Sequence, residues 1–360
     1  MQLKVNEINF EAYKRIIAIS DIHGDLEGFK VVLKEVNFTS EDALVIVGDL
    51  LEKGQHSLEL LRTVMKMTEK RNIFLVLGNN DVIFQEWQED EVSDADICWY
   101  MNSRKNSILI EMAHELDLPY HDEEDIKKMK PVLFEKYKNE IDFLSSLPHI
   151  IDSPYGIFVH AGITSEDLLS QNVEYCLTAP TFALETYVFK KPVIVGHWPA
   201  SNYCQEIIDV KMHVNSKTQV YSIDGGNSMK SWQQINYLIL YPDHTMESGY
   251  MDTLPRIRIL ENQSASTNPL TLIYPYTKVN ILERKDTKSL CFIPQLNKEM
   301  WIENHLLYPY KGNDYCEDFT TYYLPLQKDE VVSFCEEIKE GILVKKNGIV
   351  GIYSGQYESL

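Results

Sequence analysis

The sequence predicts an α/β fold, and two observations carry that prediction. Short Val- and Ile-rich runs recur through the first two thirds of the chain, each ending in a small polar turn with glycine. Between the early runs lie segments whose apolar residues repeat at helical spacing. Runs this short, bounded by glycine, read as buried strands, and their alternation with amphipathic helices implies βαβ units.

The elements follow in order. Arg15–Ser20 leads into Asp21-Ile22-His23-Gly24, and Leu26–Val36 then places Phe29, Val32, Leu33 and Val36 on one helical face. Ala43–Val47 runs into Gly48-Asp49, and Ser57–Glu69 repeats the helical pattern with Leu58, Leu61, Val64 and Met65. Asn72–Leu77 ends in Gly78-Asn79-Asn80-Asp81. Three later runs end in His160-Ala161-Gly162, Gly196-His197 and Asp224-Gly225-Gly226. Ligands of open α/β sheets gather at the carboxyl ends of strands, and every one of these turns stands at such an end.

Residues 82–150 interrupt the pattern with helical, acidic sequence, and Val132–Leu147 reads as one amphipathic helix ending at Pro148. This insertion either caps the site or forms a solvated helical layer. After about residue 250 short Tyr-rich strands take over. Asn347-Gly348 between the alternating runs Gly341–Lys346 and Ile349–Tyr353 predicts a hairpin. The expected organisation is a main domain over residues 1–250, a β-rich extension over 251–315 and a small barrel over 316–360. The last resembles a Src-homology-three-like barrel and is a candidate docking module for a protein partner.

Composition narrows the function. The 360 residues carry a net charge of -20, from 34 basic and 54 acidic side chains, with no dense Lys/Arg block. That excludes nucleic acid as an expected partner. An acidic protein that handles phosphate must bring positive charge to its site, and metal ions do so. The N-terminus has no signal-peptide pattern, and no apolar run is long enough to span a membrane. Six cysteines stand far apart with no C-x-x-C pair, which predicts a reduced, cytoplasmic set rather than a zinc ribbon.

The strand-end turns mix carboxylate, imidazole and carboxamide, a donor set suited to Mn, Fe, Zn and similar ions. Two such ions about 3.5–4 Å apart generate a nucleophilic hydroxide and neutralise the phosphoryl oxygens. The blocks themselves resemble the calcineurin-like metallophosphoesterases, in the branch of bacterial Ser/Thr protein phosphatases and diadenosine tetraphosphatases. Asp21-Ile22-His23-Gly24 is similar to D-x-H-G, Gly48-Asp49 with Gly54 to G-D-x-x-D-R-G, and Gly78-Asn79-Asn80-Asp81 to G-N-H-E. His160-Ala161-Gly162, Gly196-His197-Trp198-Pro199 and Ile223-Asp224-Gly225-Gly226 are similar to H-A/G-G, G-H-T-P and I-D-T-G.

The resemblance implies a four-layer α/β/β/α sandwich and a binuclear centre of two divalent ions, manganese first among them, with Fe, Zn or Mg as alternatives. It implies that Asp21 and His23 hold the first metal, that Asp49 bridges, and that Asn79, His160 and His197 hold the second. Asp224 is expected to be a structural loop residue. The outer shell departs from the family. Asn80 stands where an acid His is expected, and Glu52 where the acid that orients that His is expected. Lys53 replaces a phosphate-clamping Arg, and residues 151–230 contain no Arg at all.

Asp49, Asn80, Glu52 and Lys53 are therefore the candidate catalytic residues. The expected activity is hydrolysis of phosphate esters, on a phosphorylated protein or a small phosphate ester, by a Ser/Thr-phosphatase-like phosphomonoesterase. A dinucleotide polyphosphate hydrolase or phosphodiesterase is the alternative. A metal-binding scaffold without turnover and a partner-binding protein stay open beside these. Outside the six blocks, His56 leans toward the site or stays at the surface, and Trp87, Trp99 and Tyr100 pack or line a groove.

Overall fold

The computed structural model describes residues 1–69 and 72–360. It divides into two compact units, Met1–Ala200 with Lys211–Thr253, and Ser201–Val210 with Leu254–Leu360.

In chain order the elements begin β1 (Val5–Glu7), β2 (Ile16–Ile19), α1 (Leu26–Glu35), β3 (Ala43–Val47), α2 (Ser57–Thr68) and β4 (Ile73–Val76). The insertion holds α3 (Ile83–Gln88), α4 (Asp94–Ser103), α5 (Ile108–Glu115), α6 (Glu123–Lys136) and α7 (Lys138–Ser146). Then come β5 (Ile150–Ser153), β6 (Gly156–Val159), α8 (Val173–Thr178), β7 (Val193–Val195), β8 (Ile208–Asp209), β9 (His213–Asn215), β10 (Val220–Ser222), β11 (Ile235–Leu240) and β12 (Met246–Met251).

Two sheets build the first unit. One runs β12-β11-β2-β3-β4, with β2, β3 and β4 parallel. The other runs β1-β5-β6-β7-β10-β9, with β6, β7 and β10 parallel. Successive side chains of a strand point to opposite faces, and the core divides accordingly. Ile17, Ile19, Leu44, Ile46 and Leu75 pack in one cluster with Phe29, Val32, Leu61 and Val64 of the helices. Ile16, Ala18, Ala43, Val45 and Val47 pack in another with Ile151, Phe158 and Ile194 of the second sheet. The first sheet is thus covered on both faces, which is why its strands read as continuous apolar runs.

The insertion is bound to this core. Ile97, Met101, Leu109, Met112, Ile126, Met129 and Leu133 join the helix-side cluster, so the insertion is a packed layer and not merely a solvated one. Its Glu111 carboxylate accepts from the backbone N of Ser57 and of Leu58, both at 2.8 Å, and so caps α2, where His56 offers no side-chain cap. Val132–Leu147 is not one helix. It breaks at Tyr137, where φ is -104° and ψ 27°, because the buried ring turns inward and its hydroxyl donates to Met112 O at 3.2 Å.

After β8 the second unit is built of strands, with one short 3-10 turn at Asn304–Leu306. It holds β13 (Arg256–Ile259), β14 (Thr271–Leu272), β15 (Lys278–Arg284), β16 (Lys288–Ile293), β17 (Lys298–Glu303), β18 (Leu307–Tyr310), β19 (Asn313–Cys316) and β20 (Phe319–Thr320). It ends with β21 (Val331–Ile338), β22 (Gly341–Lys346), β23 (Ile349–Tyr353) and β24 (Tyr357–Ser359). Asn347 and Gly348, at φ of 51° and 75°, turn the expected hairpin between β22 and β23. The sheet around it runs β24-β13-β21-β22-β23-β8, so it draws strands from residues 256–259 and 208–209 as well as from 316–360. Pairing with β13 and β8 satisfies backbone groups of β21 and β23 that would otherwise form open edges. A separate sheet, β17-β16-β15-β19-β18, surrounds its own core of Leu272, Val279, Cys291, Ile293 and Ile302. All six cysteines are free thiols. Among the described residues no helix is long and apolar enough to cross a membrane.

Candidate metal centre

The turns that end β2, β3, β4, β6 and β7 meet at one place. They are laced by backbone bonds: Asp21 N to Gly48 O (3.1 Å), His23 N to Asp49 O (3.0 Å) and Gly54 N to His23 O (2.8 Å). Asp21, His23, Asp49, Glu52, Lys53 and His197 all adopt left-handed backbone, with φ between 51° and 71°. Each such non-glycine residue costs on the order of 1–3 kcal/mol, and clusters of them persist where the surrounding structure enforces them. The approach is close enough to require glycine at Gly196, where a Cβ would lie 2.1 Å from Asp21 Oδ2.

Asp21, His23 and Asp49 each offer a ligand atom, all within 4.8 Å of one another, and all three residues are buried. His23 Nδ1 lies 3.1 Å from Leu51 O, and His160 Nδ1 lies 3.0 Å from Val47 O. A carbonyl accepts only, so each Nδ1 carries a proton, which leaves Nε2 of the neutral ring free to act as a ligand. His160 Nε2 faces Asn79 Oδ1 at 3.0 Å and Asp49 Oδ1 at 3.3 Å. His197 Nδ1 approaches the same Asn79 oxygen at 2.9 Å. His160 Nε2 and the oxygens of Asn79 and Asp49 converge on one point, and with the imidazole neutral a cation among them satisfies their lone pairs, so these residues fit a metal ion. Asn79, Asn80, Lys53 and His197 are only half-buried and open the cage to solvent on one side.

The electrostatics agree. Burial, then the charges of Asp224 and Asp49, hold the Asp21 carboxyl well above the usual carboxylate range. Burial and Asp49 push Asp81 up to about 7, and burial pushes Asp224 up to about 6. Burial also works against Asp49, but His160, His23 and Lys53 outweigh it and hold this carboxyl below its ordinary value. Burial, with Lys53 beside it, lowers His23 to about 3, and burial with His160 nearby lowers His197 to about 4. Neutral imidazoles among crowded buried carboxylates are the protonation pattern that metal ligation needs.

The outer residues depart from expectation. Asn80 binds Asp49 through its backbone N (2.8 Å to Oδ1) and its side-chain Nδ2 (2.6 Å to Oδ2). Glu52 is not hydrogen-bonded to Asn80. Its carboxylate accepts from Tyr100 OH (2.7 Å), Ser107 Oγ (3.1 Å) and Ile108 N (3.1 Å), all from the insertion. Tyr100 is thus a site residue whose role the sequence left undecided. Trp87 is in the core, Trp99 is 72% exposed, and His56 is exposed. Asp81 was missed. Its carboxylate accepts from Gly78 N, Leu50 N and Leu51 N, tying the turn after β4 to the turn after β3. Its place in the third block was the signal. Asp224 accepts from Gly226 N through Oδ1 at 2.7 Å, as a loop residue would, yet its Oδ2 is buried without a partner.

A symmetrical bis(5'-nucleosyl)-tetraphosphatase of Wigglesworthia glossinidia brevipalpis is 45% identical over 65 residues, 18% of this chain and 23% of that protein. One from Buchnera aphidicola subsp. Baizongia pistaciae is 33% identical over 106 residues, 28% of this chain and 33% of that protein. The chain therefore spans about a quarter of the length of the first curated relatives it matches. Among solved structures, a protein serine/threonine phosphatase from Saccharomyces cerevisiae is similar over 70% of this chain and 84% of its own, at 13% identity and a TM-score of 0.45. A metallophosphoesterase from Sphaerobacter thermophilus is similar over 66% and 88%, at 17% identity and a TM-score of 0.39. The model of the calcineurin-like phosphoesterases matches residues 14–241, a span that holds β2, β3, β4, β6, β7 and β10 and every turn of the cage. With that span matched, the chain belongs to the calcineurin-like phosphoesterase family.

Proposed function

We propose that the chain is a two-metal-dependent phosphoesterase whose cage is built by Asp21, His23, Asp49, Asn79, His160 and His197, with Asp49 shared. The convergence of His160 Nε2 and His197 Nδ1 on Asn79 Oδ1, beside Asp49, carries this proposal. When bound, the metals supply Lewis acidity and an activated nucleophile for attack on phosphorus. The chain's own groups do the rest. Asn80 fixes the orientation of the Asp49 carboxylate. Lys53 offers a point charge to a phosphoryl oxygen, without the planar fork of an arginine. The layered core supports an α/β/β/α sandwich as the frame, and the cytoplasmic setting expected from the cysteine pattern belongs to the same proposal.

Asn80 also bears on the substrate. An amide does not act as a general acid at neutral pH, and Asn80 is committed to Asp49. A serine or threonine alkoxide needs a proton as it departs, whereas a nucleotide phosphate departs without one. This favours phosphoanhydrides, including dinucleoside polyphosphates, over Ser/Thr phosphomonoesters, in line with what the curated relatives of the short matching segment are named for. A panel of dinucleoside tetraphosphate, nitrophenyl phosphate and phosphoserine peptide, each with Mn, Mg, Zn or Fe, tests it. Turnover of the first two well above the third is expected. No turnover with any metal, or fastest cleavage of phosphoserine, would overturn it.

A further inference from the structure

Lys53 lies where a cation is wanted, and it is itself a cation. Its Nζ is 3.0 Å from His23 Nε2, the nitrogen whose lone pair faces the cage, and 3.2 Å from Met229 Sδ. The backbone beneath it is held fast. Lys53 stands at φ 67°, and its carbonyl accepts from Asn106 Nδ2 at 3.0 Å. The preceding Glu52 is gripped by Tyr100, Ser107 and Ile108. Only the four-carbon stem can swing.

One lone pair serves one partner. A metal ion and an ammonium cannot both occupy His23 Nε2, and two cations a few ångströms apart repel strongly in a buried setting. We propose that Lys53 is a tethered competitor for the first metal position, displaced by the metal toward the open rim, where it pairs with a phosphoryl oxygen. This rests on the metal-centre assignment above and adds a coupling to it. Metal uptake frees the anion-binding cation, and by linkage a bound anion that holds Lys53 at the rim strengthens metal binding by the same factor.

The test is calorimetric titration of the full chain with Mn²⁺, and of the Mn-loaded chain with inorganic phosphate, for wild type, Lys53→Met and Lys53→Arg. Met keeps the length of the stem and removes the charge. Lys53→Met is expected to bind the first Mn²⁺ about tenfold tighter or more, and to bind phosphate about tenfold more weakly. Phosphate should tighten Mn²⁺ binding more in wild type than in Lys53→Met. Lys53→Arg keeps the charge and should keep the weaker metal affinity. A Lys53→Met protein of normal thermal stability with unchanged or weaker Mn²⁺ binding would overturn the competition. Loss of both metal and phosphate affinity in that variant would reduce Lys53 to a packing role and overturn it too. A wild-type protein that takes up no Mn²⁺ would instead strike the metal-centre assignment itself.

Discussion

Asn80 grips both oxygens of the Asp49 carboxylate, donating from its backbone N to Oδ1 at 2.8 Å and from its side-chain Nδ2 to Oδ2 at 2.6 Å. The residue in the acid position is thus spent on orienting a ligand. Asp49 in turn sits between His23, 3.6 Å from its Oδ2, and His160, 3.3 Å from its Oδ1. Its carboxylate thus faces an imidazole from each half of the cage, so its charge should decide whether either ion stays.

Asp49→Asn removes that charge while keeping the shape. Both metals should be lost, not one. Elemental analysis of the purified variant checks this, and undiminished metal would rule out Asp49 as the shared ligand.

Asn80→His restores a proton donor, but Glu52 is already taken by Tyr100, Ser107 and Ile108. The single change should therefore improve phosphoserine turnover only modestly relative to nitrophenyl phosphate. Adding Tyr100→Phe releases one Glu52 oxygen to orient the new imidazole, and the ratio should rise further, toward the roughly 10²–10⁴-fold that acid catalysis supplies. Steady-state rates for both substrates in the three proteins decide it.

Gly196→Ala places a methyl group 2.1 Å from Asp21 Oδ2. Asp21 or the β7 turn must shift, and His197, whose backbone N bonds both Asp21 oxygens, shifts with it. Weaker Mn²⁺ binding by about tenfold or more is expected, a distortion of roughly 1–3 kcal/mol. Titration of Mn²⁺ into the variant measures it.

His149 should make stability depend on pH. It is buried, its Nδ1 accepts from Lys4 N at 3.1 Å, and its Nε2 has no partner. Burial, then Lys4 and the N-terminus, lowers it from 6.5 to about 4. The fold keeps this imidazole neutral while the unfolded chain takes up a proton. Its contribution is complete above pH 6.5 and is lost as pH falls through the interval down to about 4. The loss is on the order of 3 kcal/mol at most. Urea unfolding at pH 7, 5.5 and 4 should show a shallower decline in His149→Gln than in wild type.

Deleting residues 316–360 should leave the cage able to bind metal, because its ligands all lie within Met1–Ala200. It should also strip β13 of both its partners and expose Ile257 and Ile259. Normal metal content together with rapid proteolysis of residues 254–315 is the expected pair of results. Loss of metal would make the removed strands part of the first unit's fold.

Much of the first unit was legible because its signals are local. Ile16–Ile19 and Ala43–Val47 are buried on both faces, so they appear in the sequence as unbroken apolar runs, and the turns after them carry the site. Tyr100 was not legible in the same way. Its value lies in a bond to Glu52, 48 positions away, and no periodicity encodes where a helix of an insertion will dock. The break at Tyr137 was hidden for a related reason. Apolar spacing continued through it, and the tertiary bond to Met112 O settled the geometry. In the second unit, β13 and β8 join a sheet whose other strands are far away in sequence. Alternation marks a strand without naming its neighbour.

The left-handed backbone at Asp21, His23, Asp49, Glu52, Lys53 and His197 has an evolutionary consequence. At these positions glycine would sit at ease, and the residues that hold metal or substrate do not. A lineage released from the need for the chemistry would gain by glycine only where the relieved strain exceeds the hydrogen bonds lost, which at Glu52 are those from Tyr100, Ser107 and Ile108.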